Sequence, residues 1–205
     1  MNLALFDFDG TLTTRETFPD FLAFAAPPAR VAAGRIALAP LYVGYKAGLV
    51  SGCRIRAAAI GFAFRGVSAA RVAAAGERFA AQVLPGLLRA AAMERLAWHR
   101  ARGDCVAVVS GGLELFLAPW CRRHGLALIG SRLAVREGYL TGRYLGAQCV
   151  GEEKARRVRE AFALAGFPRV YAYGDTHEDH ALLRLAHEPW YRWQPWREAA
   201  APAPG

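Results

Sequence analysis

Three short apolar runs, each stopped abruptly by acid or glycine, constrain this chain more than any other feature. Leu3-Ala4-Leu5-Phe6 runs into Asp7, Cys105-Val106-Ala107-Val108-Val109 into Ser110-Gly111-Gly112, and Arg169-Val170-Tyr171-Ala172-Tyr173 into Gly174-Asp175. Runs that are continuously apolar, with no alternation, suit strands buried on both faces, as in a parallel sheet. Helical patterns at 87–102, 113–124, 153–165 and 178–186 lie between and after them. Strands alternating with helices predict an α/β fold, a Rossmann-like parallel sheet with helices on both faces. Ligands of such sheets sit at the carboxyl ends of the strands, so the three polar ends are expected to share one pocket.

Two segments interrupt the alternation. Residues 14–85 hold no convincing strand; they are alanine-rich and read as several helices broken at Pro27-Pro28, Ser51-Gly52 and Gly66. This predicts a helical cap over 14–85, inserted after the first strand, with 1–13 and 86–205 forming the core. Arg132–Arg136 and Tyr139–Arg143 flank Glu137-Gly138 and predict a β-hairpin. Ala199–Gly205 is an Ala/Pro tail expected to fray. With 205 residues and 54% hydrophobic content, the chain can bury one sizeable core. Its four cysteines show no paired or zinc-like spacing, and Met1-Asn2 leads straight into an apolar run that ends in acid. The expected setting is therefore cytoplasmic, with reduced thiols and no signal peptide.

Phe6-Asp7-Phe8-Asp9-Gly10-Thr11-Leu12-Thr13 places two carboxylates one residue apart at a strand end. Alone, that pattern reads equally as a polar turn with a helix cap. Ser110, Lys154 and the run Gly174-Asp175-Thr176-His177-Glu178-Asp179 each lie where a strand or helix would deliver them to the same pocket. Together, DFDGTLT, VVSGG, the lysine of GEEKARRV and YGDTHED resemble, in order, the four motifs of the haloacid dehalogenase-like (HAD) phosphatase superfamily. The resemblance covers nearly the whole chain.

The resemblance implies an HAD-like fold and a set of roles. Asp7 would be the nucleophile that forms an aspartyl-phosphate, and Asp9 the general acid that later acts as base. A phosphomonoester dianion repels a carboxylate, so attack needs a cation and hydrogen-bond donors around the phosphoryl group. Mg²⁺ would be held by the Asp7 carboxylate, the Asp9 backbone carbonyl and Asp175, with Asp179 supporting that site. Ser110, the Gly111 amide and Lys154 would bind phosphate. Asp9 also distinguishes phosphatases from relatives that transfer halide or cleave phosphonate.

The position of the insertion resembles the phosphoserine-phosphatase-like branch. Glu16 falls where that branch has a substrate-contacting glutamate, and reads equally as a first-turn acid. Residues 57–62 are apolar where the branch carries an arginine for the serine carboxylate, which argues against phosphoserine. Glu16-Thr17-Phe18 with Phe21-Leu22, followed by a proline-broken apolar stretch, instead resembles a bacterial subgroup that includes phosphatidylglycerophosphatase C. The uncharged run Ile36–Tyr45, bracketed by Arg35 and Lys46, is far short of the ~20 residues needed to span a bilayer. It reads either as a cap helix packed on its neighbours or as an interfacial helix whose flanking cations meet anionic lipid.

The net charge is +9, and 14–85 holds nine basic residues against Glu16, Asp20 and Glu77. Such a surface suits a phosphorylated small molecule or a phospholipid headgroup, with peripheral contact at the inner face of the cytoplasmic membrane. Charge alone also admits nucleic acid, but no helix-turn-helix, zinc finger or RNA-binding aromatic motif supports that partner, and no protein partner is implied. A non-catalytic HAD-like binding protein would be favoured by loss of Asp7 or Asp9, and both are present. The aromatic run Trp190–Trp196 reads as a final edge strand or as an interfacial anchor. His177 and His180 flank the last motif without an assigned role, and His99, His124 and His187 show no pattern.

Overall fold

The computed structural model describes residues 1–197. The predicted Ala/Pro tail therefore lies outside the described residues. The first strand, β1 (Leu3–Phe6), is the centre of a six-stranded sheet, flanked in parallel by β2 (Cys105–Leu113) and β6 (Val170–Gly174). β3 (Ala127–Ser131) adds beyond β2, while β7 (Glu188–Tyr191) and the antiparallel β8 (Gln194–Pro195) add beyond β6. The order is β3-β2-β1-β6-β7-β8. Phe6 stands in register with Val108 on one side and Tyr173 on the other, so the predicted strand ends lie abreast.

Successive side chains of a strand point to opposite faces, and the core divides accordingly. Ala4, Phe6, Val106, Val108, Tyr171 and Tyr173 join one cluster with α6 (Ala90–Ala101), α7 (Glu114–His124) and much of the inserted segment. Leu3, Leu5, Ala107, Val109, Val170 and Ala172 join another with α8 (Glu152–Ala161) and α9 (His180–Leu183). Both faces are covered, which is why these strands are unbroken apolar runs.

Some boundaries differ from the sequence pattern. β2 continues through Ser110-Gly111-Gly112 to Leu113, with a register irregularity against β3 after Val109. The pattern at 153–165 ends as helix at Ala161, and most of 178–186 is a 3₁₀ turn, His177–Asp179, followed by the single turn of α9. Trp190–Trp196 forms β7 and β8, whose turn lays Trp193 against Tyr173 at 5.6 Å between ring centroids.

Between β1 and β2 lie α1 (Phe18–Ala25), α2 (Pro28–Ala37), α3 (Ala39–Lys46), α4 (Gly52–Phe64) and α5 (Ala69–Gln82). Proline in the first turn starts α2, where no amide partner is lost. The Ser51 and Ser68 hydroxyls accept from the Arg54 and Arg71 amides and cap α4 and α5. The uncharged run Ile36–Tyr45 is not one helix. Pro40 cannot donate back to the preceding turn, and the chain breaks at Leu38 between α2 and α3. Neither short helix has a buried residue; Ile36 is 80% exposed and Val43 66%. The inserted chain leaves and returns through a paired neck: Thr14 donates to the Leu87 carbonyl at 2.9 Å and Arg89 to Leu12 at 2.8 Å. The hairpin, β4 (Leu133–Arg136) with β5 (Tyr139–Tyr144), hydrogen-bonds to the insertion through Gly66, Val67 and Leu140. Among the described residues, no helix is long and apolar enough to cross a membrane.

Candidate active site

The last residue of β1 hands the chain to Asp7, whose amide still donates to the Tyr173 carbonyl at 2.9 Å. This fixes the Asp7 carboxylate at the carboxyl edge of the sheet, buried. Three residues on, Gly10 has φ +79°, and a Cβ there would come within 2.2 Å of the Asp175 carboxylate. Glycine at this position lets the end of β6 approach the end of β1, so the spacing Asp-x-Asp-Gly is a packing requirement as well as a chemical one.

Lys154, in the first turn of α8, is buried and reaches Asp7 Oδ1 and Asp179 Oδ1, each at 2.6 Å. Two carboxylates therefore share one ammonium. Burial alone would lower the Lys154 pKa, but the charges of Asp7 and Asp179 outweigh it and hold the amine protonated far above its ordinary value. Burial, with the Asp179 charge, pushes Asp7 well above the ordinary carboxylate range, against the pull of Lys154. Burial also acts on Asp179, yet Lys154 and the Thr176 and Asp175 amides together hold its pKa below the ordinary value. Asp179 Oδ2 accepts from the Asp175 amide, the Thr176 amide and the Thr176 hydroxyl at 3.0–3.1 Å. Both oxygens of Asp179 are thus committed to positioning.

Asp7, Asp175 and Asp179 offer carboxylate oxygens within 4.8 Å of one another. Carboxylate oxygens of this kind suit a hard divalent cation. Since Asp179 is engaged elsewhere, Asp7 and Asp175 are the carboxylates best placed to ligate one. No donor among the described residues hydrogen-bonds Asp7 Oδ2, and Asp175 is bonded only weakly, by the Thr11 hydroxyl at 3.3 Å. Burial raises the Asp175 pKa and the Asp179 charge adds to it. A cation would relieve that crowding of negative charge.

The Asp9 carboxylate is hydrogen-bonded to Thr17 rather than to Lys154. Its Oδ1 accepts from the Thr17 amide at 2.9 Å and the Thr17 hydroxyl at 2.6 Å. Burial, partly offset by these two bonds, pushes its pKa up to about 6. A carboxyl that titrates near neutrality can both give and take a proton.

One pocket of about 270 Å³ brings together Asp7, Asp9, Glu16, Ser110, Gly111, Lys154, Asp175 and Asp179. Ser110 is buried, its hydroxyl accepting from the Gly112 amide at 3.0 Å. Gly111 is half-buried, and Glu16 stands exposed at the rim.

Three participants escaped the sequence reading. Thr17 anchors Asp9. Arg56, immediately before the apolar stretch 57–62, lines the pocket, so a guanidinium is present where the pattern gave none. It pairs with Glu178 at 3.0 Å and donates to the Gln148 side chain at 2.9 Å, while Gln148 donates to the Cys53 carbonyl at 2.8 Å. Nothing local marks Arg56 in the sequence, because its partner Glu178 lies 122 residues away. His99, for which no pattern was found, is buried beneath the sheet between Asp104 and the Tyr173 hydroxyl, each at 2.9 Å. It does not line the pocket.

The sequence profile of the haloacid dehalogenase-like hydrolases matches residues 4–184. The chain is 35% identical over 192 residues to the protein CicA of Caulobacter vibrioides, covering 93% of this chain and 85% of that one. Among solved structures, a protein of unknown function from Bordetella pertussis superposes with a TM-score of 0.79 at 28% identity, covering 93% of this chain and 89% of that one. A phosphoserine phosphatase carrying a phospho-aspartyl intermediate analogue superposes with a TM-score of 0.66 at 23% identity, covering 93% and 85%, a likeness of fold. With four ordered motifs meeting in one pocket at the carboxyl edge of such a sheet, the chain belongs to the haloacid dehalogenase-like hydrolase family.

Proposed function

We propose that the chain is a Mg²⁺-dependent phosphomonoester hydrolase that works through an aspartyl-phosphate on Asp7, with residues 14–85 as its cap. The carrying observation is that Asp7 is held by one oxygen to Lys154, that no donor among the described residues meets its other oxygen, and that it lines a pocket shared with Asp9. In the first step an Asp7 oxygen bonds to phosphorus as the bond from phosphorus to the ester oxygen breaks, and Asp9 gives its proton to the departing alkoxide. In the second, Asp9 takes a proton from water, whose oxygen bonds to phosphorus and displaces the Asp7 carboxylate as inorganic phosphate leaves. Ser110, the Gly111 amide and Lys154 hold the phosphoryl oxygens. Mg²⁺ on Asp7, the Asp9 carbonyl and Asp175, with Asp179 supporting, would neutralise charge between nucleophile and dianion. The phospho-aspartyl analogue seen in a relative of this fold supports the covalent route.

For the substrate, the exposed α2–α3 edge, with its uncharged run Ile36–Tyr45 between Arg35 and Lys46, favours a phospholipid headgroup such as that of phosphatidylglycerophosphate, met at the inner face of the cytoplasmic membrane. A small soluble phosphate, phosphoserine-like, is the second reading, and Arg56 favours it by offering a cation to a second anionic group. With Mg²⁺ the protein should hydrolyse p-nitrophenyl phosphate, and Asp7→Asn should lower turnover by about 10⁴-fold or more. Unchanged turnover in that variant removes Asp7 as nucleophile. Assays on phosphatidylglycerophosphate in mixed micelles beside phosphoserine and other soluble esters separate the two substrates. A clear preference for a soluble ester removes the lipid reading.

A further inference from the structure

Next to the catalytic pocket lies a second, larger groove of about 510 Å³, walled by α1, α2, α3 and α4. Phe18, Leu22, Val31, Ile55 and Phe62 supply its sides, and Gly34 and Ala59 leave room between them. Its charged groups are few. Glu16 and Arg56 stand where it meets the catalytic pocket, Arg30 is tied to the Ala63 and Arg65 carbonyls, and Arg35 is exposed on α2. At the far end Tyr42 and Val43, 52% and 66% exposed, leave it open to solvent. Glu16, Phe18 and Arg56 belong to both spaces, so the groove continues the catalytic pocket.

We infer that this groove is a binding site for an aliphatic chain carried by the alcohol of the phosphoester. A pocket of this size and lining matches those that bury a drug-sized apolar ligand. Its occupant has to be joined to whatever sits at Asp7, because the two spaces share walls. The occupant must also be apolar along most of its length, because the walls between Arg56 and the Tyr42 end are mainly apolar and Arg30 among them is already bonded to carbonyls. The polar phosphate end then lies among Lys154, Ser110 and Asp7, Arg56 marks the junction, and the chain extends past Phe62 towards Val43. The identity of the reacting end rests on the phosphomonoesterase reading; occupancy of the groove can be measured without turnover.

The test is an n-alkyl phosphate series from ethyl to octyl. In the full-length Asp7→Asn protein with Mg²⁺, calorimetric affinity should rise about fourfold for each added methylene until the groove is filled, as ~0.8 kcal/mol per buried CH₂ predicts. In the wild type, KM should fall in parallel while kcat stays level, because a remote apolar contact is equally strong in ground and transition states. Ala59→Trp, which fills the groove from α4, should bring the octyl-to-ethyl ratio of kcat/KM close to one. A flat affinity series in Asp7→Asn overturns the groove assignment, whatever the turnover. Chain-length-dependent binding without hydrolysis of any ester by the wild type overturns the phosphatase reading and leaves the groove standing. Hydrolysis of octyl phosphate but not of phosphatidate in vesicles identifies a free alkyl phosphate as the source of the chain; hydrolysis in vesicles identifies a lipid headgroup.

Discussion

The carboxyl edge of the sheet and the α2–α3 edge of the insertion are built on opposite plans. At the sheet edge, Asp7, Asp179 and Lys154 are buried and bonded to one another, and each backbone turn is fixed by a close approach such as Gly10 against Asp175. At the α2–α3 edge no residue is buried, Ile36, Tyr42 and Val43 are exposed, and the charges are Arg30, Arg35 and Lys46. The first region holds buried charge, whose cost is offset by the Lys154 ammonium shared between two carboxylates. The second keeps an apolar surface open, which is of use only where something apolar arrives. On the proposed function, reaction would belong to the sheet edge and recognition to the inserted helices.

The strongest challenge to this contrast is Lys154→Met. It leaves two buried carboxylates facing each other, and should lower unfolding free energy by about 3–5 kcal/mol in denaturant titration. A loss below about 1 kcal/mol would mean that the sheet edge is as tolerant as the insertion.

Asp9 sharpens the contrast through pH. Its pKa is raised to about 6 in the folded chain, from an ordinary carboxylate value when unfolded. The native state therefore binds the extra proton, and Asp9 lowers stability progressively as pH rises from about 4 to 6. In metal-free protein, Asp9→Asn should gain melting temperature relative to wild type across that interval, and the gain should level off above it. A difference that is constant from pH 4 to 7 would show that burial does not act on Asp9 in this way.

The smallest effect belongs to the exposed edge. Ile36→Glu should change unfolding free energy by no more than about 0.5 kcal/mol, because Ile36 is 80% exposed. A larger loss by thermal melting would show that α2 packs on its neighbours more than its exposure implies.

The same division governs what could be read from the sequence. The strand ends were legible because burial on both faces forces continuous apolar runs, and because glycine at Gly10 leaves a mark that chemistry alone would not. The insertion was legible as helices, since Pro28, Ser51 and Gly66 punctuate it by local stereochemistry. The break at Leu38 was not, because whether Pro40 ends a helix or starts one depends on what the neighbouring turns pack against. Arg56 was missed for a related reason: an arginine among alanines on a half-buried helix looks solvated until Glu178, 122 residues away, is folded beside it. Likewise, the Asp104–His99–Tyr173 chain is assembled by tertiary structure from residues that carry no common pattern.

The paired neck, in which Thr14 meets Leu87 and Arg89 meets Leu12, has a consequence for how such a protein can diversify. Entry and exit of the insertion lie side by side on the core, so the core experiences residues 14–85 as a single short loop. A segment of different length and lining could be transplanted between the same two points with little change to loop closure. Descendants of one ancestral hydrolase could then exchange their choice of alcohol wholesale while the aspartate pair stayed as it was.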